Sequence, residues 1–154
     1  MFMFCFEVEQ KFATVDDNAL YKVQVTGTMM SSNVLSACNV AKLRTPCYAD
    51  SYADANCVLI GACNSTEPHC MDHGYTQTIF HAIMNNICSE LNEPDETTPN
   101  HMKPTECQPL RDAFAYTGGK YGGGQAFGIA KYGGSGWTWQ WGNVISNKFA
   151  LCMT

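Results

Sequence analysis

Nine cysteines in 154 residues limit what this chain can fold into more than any other feature. They stand at positions 5, 38, 47, 57, 63, 70, 88, 107 and 152, so an even set of eight lies between Cys38 and Cys152. No two have the Cys-x-x-Cys spacing that lets paired thiolates hold one zinc ion or form a redox dithiol. The reading that fits is a disulfide framework built from Cys38, Cys47, Cys57, Cys63, Cys70, Cys88, Cys107 and Cys152. Eight cysteines permit 105 pairings. Cys38 and Cys152 are the outermost of the set, and joining them closes the largest loop and restricts the unfolded chain most.

Cytosolic glutathione keeps such thiols reduced, so the framework predicts an oxidising, extracellular setting. Asn64-Ser65-Thr66 is an N-glycosylation acceptor between Cys63 and Cys70, where a glycan at Asn64 would offset a charged fraction of 15%, low against the roughly 25% of ordinary domains. The length suits one domain. No run approaches the roughly 18 apolar residues of a membrane span. A net charge of -5 repels a phosphate backbone, and no basic stripe reverses that, so nucleic acid is not an expected partner.

The hydrophobic pattern predicts an α+β domain: two helices, about 32–43 and 75–91, on a mainly antiparallel sheet. Phe2, Phe4, Phe6 and Val8 alternate, as do Tyr21, Val23 and Val25, with Asp16-Asp17-Asn18 as the turn between. Ser31 or Ser32 is placed to cap the first helix, Val34, Leu35 and Cys38 to face inward, and Arg44-Thr45-Pro46 to end it. Ile79, Phe80, Ile83, Met84, Ile87, Cys88 and Leu91 form the apolar stripe of the second helix. Four prolines between Glu93 and Pro109 predict an extended loop. The pairs Phe114/Tyr116, Phe127/Ile129 and Phe149/Leu151, with Trp137/Trp139/Trp141, predict a β-meander punctuated by glycines.

Residues 1–20 read as an N-terminal strand segment and 21–154 as the disulfide-stapled domain. Met1 to Phe6 is too short for a signal-peptide core. Cys5 has no partner if the other eight pair internally, which leaves a free thiol or a bond to another chain; Phe2, Phe4, Cys5 and Phe6 are expected to pack on the chain's own sheet or, as a candidate self-association arm, to add a strand to a neighbouring subunit.

The stretches Tyr21-Lys-Val-Gln-Val-Thr-Gly-Thr-Met29, Asn33-Val34, Ala37-Cys38 and Arg44-Thr-Pro-Cys47, with Cys107-Gln-Pro-Leu110, Asp112-Ala-Phe-Ala-Tyr116 and Ala150-Leu-Cys152, resemble a cysteine-rich extracellular module of lancelets and related marine invertebrates. That resemblance implies secretion and disulfides, and carries over no site residues. The chain also resembles C-type lectin-like domains, in which an early helix cysteine pairs with one in the final strand, as Cys38 and Cys152 would. Glu93-Pro94-Asp95 comes close to that family's calcium triplet, while its Trp-Asn-Asp motif is missing.

Candidate sites follow from side-chain chemistry. Trp137, Trp139 and Trp141 share one strand face; core packing is the commoner destination for residues that bury about 150 to 250 Å² each, and a platform for sugar rings or a partner is the alternative. Glu93, Asp95 and Glu96, with Asp50 and Asp54 elsewhere, offer hard oxygen ligands for calcium, though such loops are usually solvated and no cofactor is required. Cys63, His69, Cys70 and His73 are zinc-ligand types, but in an oxidising compartment the thiols are expected to form disulfides and the imidazoles to stay exposed. Ser135 lacks a Gly-x-Ser-x-Gly elbow and Gly122-Gly123-Gly124 lacks the Lys of a P-loop, so no catalytic residues are assigned. The sequence therefore suggests a non-enzymatic extracellular structural or adhesive module that self-associates or meets a matrix partner. The alternative is a lectin-like domain using the tryptophan strand or the Glu93 loop.

Overall fold

The computed structural model describes residues 11–61, 79–88, 106–118, 124–134 and 136–154. The first two strands, β1 (Lys11–Val15) and β2 (Asn18–Gln24), form a hairpin. Asp16 and Asp17 both take left-handed backbone, φ 49° and 64°, and Val15 pairs with Asn18. Two consecutive left-handed residues make the type I′ turn whose twist matches the strands, and Asp is among the few side chains that tolerate it. Residues 11–20 belong to the sheet: Ala13, Val15 and Leu20 are buried in the main core.

The first helix, α1 (Ser31–Val40), buries Ser31, Val34 and Cys38 along one stripe. Its capping differs from expectation. Met30 occupies the N-cap with no side-chain hydrogen bond. Ser31 instead turns inward, its hydroxyl accepting from the Thr117 amide at 3.0 Å and lying 3.1 Å from the Thr117 hydroxyl. The helix also stops before Arg44-Thr45-Pro46, because Lys42 turns left-handed (φ 64°) and the Leu43 amide donates back to the Cys38 carbonyl. The second helix, α2 (Ile79–Ile87), carries Ile79, Phe80, Ile83 and Met84 fully buried on the expected stripe. Cys88 lies just beyond it; 75–78 and 89–91 fall outside the described residues.

Four further strands follow: β3 (Ala113–Ala115), β4 (Phe127–Lys131), β5 (Trp137–Trp141) and β6 (Phe149–Met153). All six make one sheet in the order β1-β2-β6-β3-β4-β5. The predicted meander holds only for β3, β4 and β5. Instead of continuing beside β5, β6 crosses back between β2 and β3, antiparallel to the first and parallel to the second. Burial accounts for this position: Ala150, Leu151, Cys152 and Met153 are all buried, and only an interior strand covered on both faces can bury consecutive residues.

The sheet is accordingly covered on both sides. Leu151 and Met153 face α2 with Ala115 and Ile129, whereas Ala150 and Cys152 face α1 with Val23, Val25 and Phe114. The segment before α2 packs on the α2 side through Tyr48, Tyr52 and Ile60. Among the described residues three disulfides tie these layers: Cys38–Cys152 joins α1 to β6, Cys47–Cys57 closes a loop, and Cys88–Cys107 joins the end of α2 to the segment before β3. Cys5, Cys63, Cys70, Asn64, Phe2, Phe4 and Phe6 lie outside the described residues. No helix among the described residues is long and apolar enough to cross a membrane.

Candidate functional site: the tryptophan edge

Among the described residues strand β5 forms one edge of the sheet, and its three indoles point to the α2 face. Alternation along Trp-Thr-Trp-Gln-Trp puts them on one side, and the register sets Trp141 opposite Phe127, Trp139 opposite Ile129 and Trp137 opposite Lys131. At one end the row is built into an aromatic cluster. Trp139 stacks on Phe127 with ring centres 5.0 Å apart and planes 7° from parallel, and meets Phe80 of α2 edge-on at 5.1 Å. Trp141 leans on Phe127 at 4.6 Å, and Tyr48 closes the cluster edge-on against Phe127 at 5.2 Å. Each such pair adds about 0.5 to 1.5 kcal/mol beyond its buried area, so this end is rigid.

At the other end the neighbours are cations. The Arg111 guanidinium lies 5.0 Å and the Lys131 ammonium 5.1 Å from the centre of the Trp137 ring. Arg111 arrives through a parallel bridge to Ile129, and its carbonyl accepts from Lys22 Nζ at 2.8 Å; Lys22 also holds the Pro109 carbonyl at 3.1 Å and lies over the Phe149 ring. Burial pushes the Lys22 ammonium below its ordinary range, and the Asp112 carboxylate partly offsets this. The segment that carries Arg111 is thus pinned to the sheet.

The indoles are packed on one side and open on the other. Trp137 and Trp139 pack against the main core, yet all three remain partly exposed on an edge strand. Arg111 and Lys131 were not singled out by sequence reasoning. Lys131 alternates with Phe127 and Ile129 and so shares their face, a signal that was legible; Arg111 reaches Trp137 only through tertiary pairing.

A concavity of about 320 Å³ opens at the start of α1, lined by Ser31, Ser32, Leu35, Asn56, Tyr116 and Gly118 among others. The Tyr116 hydroxyl donates to Asp54 Oδ2 at 2.8 Å and accepts from Asn56 Nδ2 at 3.3 Å. Asp54, weighed above as a calcium ligand, also accepts the Asn56 amide at 2.7 Å, and Asp50 accepts the Ser51 amide at 2.8 Å. Both are thus engaged in local turns. Among the described residues no cluster of three metal-ligating side chains occurs; Glu93, Asp95, Glu96, His69, His73 and Ser135 lie outside them.

Burial pushes the Tyr116 phenol above its ordinary value of 10.0; the Asn56 hydrogen bond works against this, and the Asp54 carboxylate adds to it. A raised folded-state value means that the unfolded chain releases this proton first, so the stability tied to Tyr116 is full below pH 10 and is lost as pH climbs through the higher folded value. Unfolding midpoints across pH 9 to 11 should therefore fall more steeply for the wild type than for Tyr116→Phe. Parallel curves would show that the phenol does not carry this dependence.

Compared with protein-family models, curated proteins and solved structures, the chain finds no match, so its likenesses to lancelet modules and C-type lectin-like domains rest on the quoted residues alone.

Proposed function

We propose that the chain is a non-enzymatic extracellular adhesive module that meets a glycan partner through the tryptophan edge. The observation that carries this is the incomplete burial of Trp137, Trp139 and Trp141 on an edge strand, in a domain that otherwise buries Phe80, Phe114, Met29 and Leu110 completely. Indoles lose more apolar contact by remaining open than any other side chain, and a flat ring fixed by Phe127 offers a preorganised surface for the C–H face of a pyranose. Three disulfides support the extracellular placement.

A glycan array, run with and without chelator, tests the reading. Binding should survive chelation and quench tryptophan fluorescence, and Trp137→Ala should weaken it about tenfold in a variant that circular dichroism shows to be folded at the assay temperature. An array without a single retained glycan refutes the proposal. Dependence on calcium would move the site to the Glu93-Pro94-Asp95 loop.

A further inference from the structure

Among the described residues, two cations converge on Trp137 and no carboxylate pairs with either. Arg111 and Lys131 each lie about 5 Å from the same ring centre, which brings two positive charges to one indole. In a chain with 14 acidic residues against 9 basic ones, such a pair would be expected to recruit a carboxylate. Neither makes an ion pair with a carboxylate of the described residues, and Asp112, next to Arg111 in sequence, reaches Lys148 instead, at 3.4 Å. Arg111 Nε is buried without an acceptor. Lys22 fixes the Arg111 carbonyl, so the segment that carries the guanidinium is held in place beside Trp137. Lys131, by contrast, is exposed and can swing toward an incoming group.

We propose that Arg111, Lys131 and Trp137 form an anion-reading end of the aromatic strand, and that the glycan taken by this edge is acidic, carrying carboxylate or sulfate groups. This rests on the glycan reading above and narrows it. A guanidinium fork matches two oxygens of a carboxylate or sulfate, the lysine adds a mobile point charge, and the indole supplies the face for the sugar ring that bears the anion. An acidic peptide would satisfy the cations but leave the indole row without a flat C–H surface to stack on.

Fluorescence titrations with dextran sulfate, polygalacturonate, unmodified dextran and polyglutamate separate the outcomes. The proposal expects an acidic polysaccharide to bind, more weakly as sodium chloride rises, with Lys131→Gln about fivefold weaker and Lys42→Gln, an exposed lysine after α1, unchanged. Equal binding of unmodified dextran overturns the acidic assignment and leaves the aromatic site standing. Polyglutamate bound as tightly as the acidic polysaccharides overturns the saccharide class. An equal loss in both lysine variants overturns the location, and failure of every polysaccharide removes the glycan reading and this inference with it.

Discussion

Replacing Cys38 and Cys152 together by alanine should cost about 5 kcal/mol and leave the domain unfolded or nearly so at 37 °C, a loss comparable with the whole stability of many domains. The bridge spans a sequence separation of 114 residues, and restraint of the unfolded chain grows with the logarithm of the loop it closes. The Cys47–Cys57 bridge spans only 10, which lowers the expected cost of Cys47→Ala with Cys57→Ala to about 3 kcal/mol. Position strengthens the contrast. Cys38 and Cys152 are both fully buried and join α1 to β6, the strand on which the two halves of the sheet meet, whereas Cys57 is only partly buried. Urea unfolding of the two double variants, followed by circular dichroism, measures both. If the short-loop variant proves the less stable, loop entropy is not what the long bridge contributes.

The outermost pair of cysteines was legible because chain entropy ranks pairings by span alone. Local periodicity was equally informative. The stripe from Ile79 to Ile87 predicted α2, alternation predicted β2, β4 and β5, and the Asp16-Asp17 pair announced a tight turn. The place of β6 was not read, although Phe149-Ala-Leu-Cys-Met153 has the unbroken apolar run of a strand covered on both faces; alternation of Phe149 with Leu151 suggested a one-sided strand, and a parallel neighbour 36 residues upstream leaves no local trace. The candidate site divides in the same way. Its indoles stand out in the sequence, while Arg111, brought to Trp137 across β4, and the Tyr116–Asp54 hydrogen bond, between residues 62 apart, exist only once the chain has folded. Ser31 shows the converse: a residue type suited to capping was drawn inward by Thr117, a partner that no helix rule includes.

Gly142, immediately after the tryptophan strand, should be as intolerant of a methyl group as any position in the fold. A Cβ built there would overlap the Met29 carbonyl, and Met29 has no room to retreat. Its amide donates to the carbonyls of Gly142 and Ile145 at 3.1 and 2.9 Å, its carbonyl accepts from Ala126 at 3.0 Å, and the Gly142 amide donates to Ala126 at 2.9 Å. Three segments thus interlock through backbone alone, and the side chain of Met29 is fully buried. Conversion to alanine should cost about 3 kcal/mol or more, because the obstruction is backbone rather than a movable side chain. Gly134 provides the control. A Cβ there meets nothing within 4 Å, so Gly134→Ala should be neutral or should stabilise by up to about 1 kcal/mol by restricting the unfolded chain. Because Gly142 sets the exit of β5, the strain should also reach Trp141 and change the tryptophan emission of the folded variant. Equal urea midpoints for the two alanine variants would mean that the contact between Met29 and Gly142 is looser than the structure places it, and that the end of the tryptophan edge is not anchored there.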